Sequence, residues 1–176
     1  MFKFNYKERF PVSGKKFLER TMYNFDEYVK FAPNLERVEV LSRETLPDGR
    51  EKTAIRVFAK AAFPEAVRAV MKIDSMDWKE EYTIDWNKLT VDWNVEAPVF
   101  TEYVECGGTS NVKDIVGGCE MSVAGTMKIE TPPMKGIPDP VVRTFVGIIE
   151  PFIGRLVSLN LKKYFKSIRE AMEKER

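Results

Sequence analysis

The chain has 176 residues, 44% of them hydrophobic, with two cysteines, no histidine and a formal net charge of +1. That length suits one globular domain with a substantial core, and interspersed acids and bases at near-zero net charge give no electrostatic reason to expect nucleic acid. The missing histidine excludes His-based triads, imidazole general bases and the usual zinc sets, leaving carboxylates, Lys, Tyr and Cys as candidate catalytic groups.

The opening MFKFNYKERF alternates Phe2, Phe4 and Tyr6 with polar residues, which predicts a strand with one buried face. It lacks the apolar core of a signal peptide, and no apolar run elsewhere reaches transmembrane length, so a soluble cytoplasmic protein is expected. Ser13 precedes a short helical pattern with Phe17 and Leu18 inward. Asn24 and Glu27 have capping-box spacing before a second short helix carrying Phe25, Tyr28 and Phe31, which Pro33 stops.

From Leu35 the period changes to two. Val38 and Val40, the turn Pro47-Asp48-Gly49, and Thr53, Ile55, Val57 and Ala59 predict a β-hairpin. The insert AFPEAVRAVMKI, residues 62–73, reads as a short amphipathic helix or ordered loop. Trp78, Glu80, Tyr82, Ile84 and Trp86 share one face of the next strand. After Asn87-Lys88, the strand from Leu89 places Val91, Trp93 and Val95 together. Pro98 breaks the pattern before a strand from Phe100 to Gly107, and the loop through Gly117-Gly118 returns into an alternation of Cys119, Met121, Val123, Gly125, Met127 and Ile129. A proline-rich connector, residues 131–140, delivers the chain to one long helix, with Asp139 as its cap and Pro140 at its first position. Phe145 to Met172 form its apolar stripe, Arg155, Lys162, Lys166, Arg169 and Glu173 fall opposite, and Pro151 and Gly154 predict a bend.

Strand, two short helices, six antiparallel strands and a long terminal helix make an α+β layer, a sheet with helices on one side. In this order of elements, in FAPNLERVEVLSRE after the second helix, in the VAGTMKIE strand and in the final helix, the chain resembles the helix-grip superfamily, also called START-like or SRPBCC, which includes pollen-allergen proteins, lipid transfer domains and polyketide cyclases. Within it, VEVLSRETLPDGREKTAIRVFA with the proline-containing insert after it is similar to the PRELI-type lipid-transfer branch, and the strand-then-helix ending to bacterial families of the same fold. The resemblance implies a seven-stranded curved sheet gripping the long helix over an internal apolar cavity, a small lipophilic ligand within it, no cofactor and no metal. It also implies a mobile lid at the insert, through Phe63, Val67 and Met71; the other reading is that these residues plug the sheet edge.

The ligand-facing candidates are Trp78, Glu80, Tyr82, Trp93, Val104, Met121, Met127, Phe152, Leu156 and Asn160. Glu80 places a carboxylate among aromatic groups, where unpaired burial raises its pKa and suits it to orient a polar head or, with Tyr82, to act as an acid/base pair in a cyclase or hydratase. Against this stands a Glu80 ion-paired to a neighbouring Lys or Arg, or indoles facing outward. Asn160 interrupts the apolar stripe, so its amide needs a partner from the sheet, water or a ligand. Aromatic residues at strand spacing are otherwise ordinary core. Cys106 and Cys119, nearly symmetric about a loop near Val112-Lys113, would sit opposite one another as reduced thiols or, alternatively, as a regulatory disulfide. Gly107-Gly108 and Gly117-Gly118 read as turns or bulges. Lys162, Lys163, Lys166 and Arg169 are open to transient contact with a membrane surface, although interleaved acids also fit a solvated face. Nothing fixes the oligomeric state.

Overall fold

The computed structural model describes residues 1–25, 29–30, 35–59, 76–96 and 101–175. Its elements are β1 (Phe2–Phe10), α1 (Gly14–Tyr23), β2 (Leu35–Thr45), β3 (Glu51–Ala59), β4 (Met76–Asp85), β5 (Thr90–Glu96), β6 (Val104–Ile115), β7 (Gly118–Ile129) and α2 (Asp139–Lys174). All seven strands form one antiparallel curved sheet in the order β1-β7-β6-β5-β4-β3-β2. The second short helix expected after α1 is described only at Phe25 and Val29, both helical. The insert, with Phe63, Val67 and Met71, lies outside the described residues.

Strand register sets what faces the helix, because side chains alternate faces with period two. One inward row runs Ile55, Glu80, Val95, Cys106, Met127, Phe2 across six strands. The next runs Thr53, Tyr82, Trp93, Gly108, Gly125, Phe4. At the far edge β2 slips register twice, between Leu35 and Arg37 and between Val40 and Ser42.

Several boundaries differ from expectation. Strand β4 ends at Asp85, whose Oδ1 accepts from the backbone N–H groups of Asn87 and Lys88, both at 3.0 Å, so Trp86 lies in a turn and stacks on Tyr23 at 5.6 Å. Strand β6 is twelve residues long and turns at Val116-Gly117, not near Val112-Lys113. Cys106 therefore pairs with Met127 and Cys119 with Asp114, about 26 Å apart along the ladder, so the two thiols are inward and free but far beyond disulfide reach. Gly107 and Gly108 sit within β6 and mark neither a turn nor a bulge.

Helix α2 runs alongside β1. Gly154 abuts Phe2, where any Cβ would clash with the ring, Phe165 stacks on Tyr6 at 5.9 Å, and Ile168 and Met172 enter the main core with Phe10, Phe17, Leu18 and Ile84. Its N-cap is Pro138 with no side-chain bond, so Asp139 is the first helical residue and not the cap. By length and composition alone this helix could cross a membrane, contrary to the sequence expectation. Its last turns, however, are packed into the sheet, with Ile168 at 0% exposure.

The helical pattern points Arg169 away from the sheet. Instead its Nη1 donates to Glu8 Oε1 at 2.8 Å, and Tyr6 donates to Glu8 Oε2 at 2.7 Å. Burial, reinforced by the Glu8 bond, pushes the Tyr6 hydroxyl above its ordinary pKa. This clamp fastens the helix to the edge strand. Arg169→Met is expected to lower stability by about 1 kcal/mol in urea titrations, the ordinary size for a half-exposed charge-assisted bond.

Candidate functional site

Strand alternation puts Trp78, Glu80 and Tyr82 side by side on the inward face of β4. Trp78 Nε1 donates to Glu80 Oε1 at 2.6 Å, and the Tyr82 hydroxyl donates to Glu80 Oε2. No Lys or Arg among the described residues pairs with this carboxyl, and the Trp78 indole faces inward. Burial raises the Glu80 pKa, with the two donated bonds pulling the other way. The Tyr82 hydroxyl is pushed well up, first by burial and then by the neighbouring Glu80 charge and bond. The Cys106 thiol, one row across, is pushed up to about 11 by burial and by the same carboxylate. A carboxyl held this way keeps its proton to a higher pH than a solvated one, and both its oxygens retain acceptor capacity.

Around this group the walls are apolar. Phe25 stacks on Tyr82 at 6.0 Å, and Phe25, Ile55 and Val57 form a buried cluster with Trp78 and Tyr82 against it, joined to the core under α2 through Tyr82 and Met22. Trp78, Glu80 and Tyr82 are themselves half-buried, so each keeps some accessible surface on this face.

Beside this group the inward face of the sheet is bare backbone at two paired positions. Gly108 and Gly125 are paired directly, and the Trp93 indole lies over both; a Cβ on Gly125 would meet Trp93 at 2.7 Å and the Phe4 ring at 2.5 Å. Trp93 and Phe4 stack with centroids 5.9 Å apart. Without side chains on these two glycines, the aromatic rings can sit against the sheet instead of standing away from it.

The structure thus brings Trp78, Glu80, Tyr82 and Trp93 together. Met127 shares the row of Glu80 at 3% exposure, and Val104, half-buried, lies farther toward the end of β6. Met121 does not join them: it is 2% exposed in the main core, beside Phe10 and Ile168. Asn160 lies on an exposed part of α2, so the burial expected of its amide is not found. The Phe152 and Leu156 side chains fall outside the described residues. Sequence reasoning placed Cys106 on the inward face but missed its place in the Glu80 row, the Gly108–Gly125 pair and the contact of Phe25 with Tyr82. Correct placement of the β6–β7 turn would have revealed the first two, since register follows from it.

A polar depression of about 380 Å³ on the opposite face of the sheet, lined by Asp48, Arg50, Thr83, Asp85, Lys88, Thr90 and Asp92, is chemically unlike the inward face. Its charges largely satisfy one another, with Arg50 2.7 Å from Asp48 and Lys88 3.6 Å from Asp85.

No protein-family profile matches the sequence, and no curated protein is significantly similar to it. Solved structures match over the whole chain. TTHA0849 from Thermus thermophilus superposes with a TM-score of 0.68 at 16% identity, covering 99% of both chains. The Ara h 8.0201 structure gives 0.62 at 17%, covering 98% of both, and a START superfamily protein from Mycobacterium smegmatis gives 0.62 at 12%, covering 99% of both. An aromatase/cyclase, Zhui from Streptomyces sp. R1128, matches at 0.57 and 11% over 97% of both. The chain therefore has the helix-grip fold that these structures share. At such identities the likeness is one of fold, shared by proteins described as START domains and as cyclases.

Proposed function

We propose that the inner face of the sheet binds a small lipophilic molecule carrying one polar group, and that the protein sequesters or transfers it as a soluble cytoplasmic carrier. The observation that carries this reading is Glu80: a carboxyl enclosed by Trp78, Tyr82, Phe25 and Ile55, bonded only by an indole and a phenol among the described residues. A purely structural core has little use for such a group, since burial penalises its charge and an apolar residue of similar volume would pack as well. Apolar walls supply desolvation at roughly 25 cal/mol per Å² of ligand surface, and the Glu80–Tyr82 pair fixes orientation.

Dansyl-labelled undecanoic acid is the test ligand. It should bind saturably and quench Trp78 and Trp93 emission, with affinity about fivefold to tenfold weaker in Glu80→Leu, the loss of one buried polar contact. The absence of saturable binding would overturn the reading.

The raised pKa also fixes a sign. A carboxyl whose folded pKa exceeds its unfolded value favours the folded chain most where both states are protonated, and that advantage disappears as pH rises through the folded pKa. Glu80→Gln removes the titration. It is expected to match the wild type at acid pH, where both states are protonated, and to be the more stable of the two at alkaline pH in urea unfolding.

The same raised pKa supports a second reading, a cyclase or hydratase in which Glu80 delivers a proton and Tyr82 assists. In that case Glu80→Gln abolishes turnover of a polyketide-like substrate while leaving its binding intact.

A further inference from the structure

The outer side of α2 is the least explained surface. Val141, Ile148 and Leu159 are 56%, 65% and 56% exposed. They are spaced seven and eleven residues apart, eighteen in all, which is five helical turns, so the three form one line along the helix. Around Leu159, Arg155, Lys162, Lys163 and Lys166 stand four before and three, four and seven after it, all exposed on this same side. Residues 135–169 hold seven Lys or Arg against two Asp or Glu, while the whole chain is only +1. Of those acids, Glu150 is already engaged, accepting from the Ile129 backbone at 2.8 Å and ion-paired with the N-terminal amine. Lys166 meets Glu170 at 3.8 Å, at the C-terminal limit of this face.

Position adds to composition. Gly154 meets Phe2 and Glu150 meets Ile129, so α2 before Glu150 projects past the first residue of β1 and the last of β7. That is the end of the sheet nearest the Glu80 row, because Phe2, Met127, Cys106 and Glu80 lie in one row.

We propose that this exposed face of α2, apolar along Val141, Ile148 and Leu159 and basic from Arg155 to Lys166, docks the protein on an anionic lipid surface with the helix lying in the interfacial plane. The contact line is about 38 Å long. Apolar side chains enter the headgroup boundary and the lysines and Arg155 meet lipid phosphates and carboxylates, the combination by which amphipathic helices bind anionic bilayers. Its purpose, exchange of a lipophilic guest between bilayer and interior, rests on the carrier reading above. The surface contact itself does not.

Sedimentation with vesicles of phosphatidylcholine containing about one-third phosphatidylserine tests it on the full chain. The wild type should co-sediment, and added salt should weaken the association. An Ile148→Asp/Leu159→Asp double variant and a Lys162→Glu/Lys163→Glu double variant should each lose at least about tenfold in partitioning. All four positions are exposed, so folding should be kept, with circular dichroism as the check. Dansyl-undecanoic acid binding should be unchanged in both variants, so its loss in the wild type would count against the carrier reading and not against docking. No association with the anionic vesicles, association equal on pure phosphatidylcholine, or a dimer dissolved by Ile148→Asp with no vesicle binding would each overturn the proposal.

Discussion

Gly125→Val is expected to lower stability by about 3 kcal/mol, or roughly 10 °C in melting temperature, and to abolish dansyl-undecanoic acid binding. No backbone strain is involved, since Gly125 is not among the glycines with positive φ. The cost is steric. A Cβ there would overlap Phe4 and Trp93, and the indole already lies against Gly108 as well, where a Cβ would meet it at 2.7 Å. Either the rings tilt up into the interior and fill it, or the sheet opens locally. Thermal melts read the first quantity and tryptophan quenching the second. A variant that melts like the wild type and still binds the probe would show that the indole does not rest on the glycines.

Ile168→Ala should cost about 3 kcal/mol with little change in ligand affinity. Ile168 is 0% exposed, within the cluster of Phe10, Phe17, Leu18, Ile84, Val91 and Met172 that joins α2 to α1 and the sheet. Truncation leaves a void that well-packed aromatic neighbours cannot close. The buried cluster of Phe25, Ile55 and Val57 does not include Ile168, and among the described residues only Met22 and Tyr82 pack against both, so little of the loss should reach Glu80. Urea unfolding measures the cost, and a parallel fall in probe affinity would mean that the two clusters behave as one.

Much of the architecture is legible in the sequence because amphipathic periods survive translation into structure. Alternation in Phe2 to Tyr6 and in Cys119 to Ile129, and the helical spacing of Leu161, Phe165, Ile168 and Met172, report burial on one side, which is what the sheet and α2 show. The inward set Trp78, Glu80, Tyr82 follows from the same logic. What fails is whatever depends on register or on long-range partners. Centring the β6–β7 turn near Val112-Lys113 places it about four residues too early, and with it go the cysteine pairing and the meaning of Gly108. Arg169 has the chemistry of a solvated residue, and only its proximity to Glu8, 161 positions earlier, makes it a clamp. Asn160 errs in the other direction, since a polar residue near an apolar stripe lies on an exposed part of the helix. Trp86 reads as strand by period, yet Asp85 ends β4 through side-chain bonds to the following turn, a local competition that period alone does not register.

The twice-slipped strand β2 governs how this molecule behaves in company. A straight rim of unpaired amides would offer every passing chain a template for continuing the ladder, and concentrated solutions would gel or fibrillate. Two kinks within eleven residues, with Glu36, Arg37, Glu39, Arg43 and Glu44 projecting along the rim, deny a second chain any straight run to zip against. The open border that a seven-stranded sheet cannot avoid is thereby kept unreceptive, so the protein can stay dispersed at high concentration.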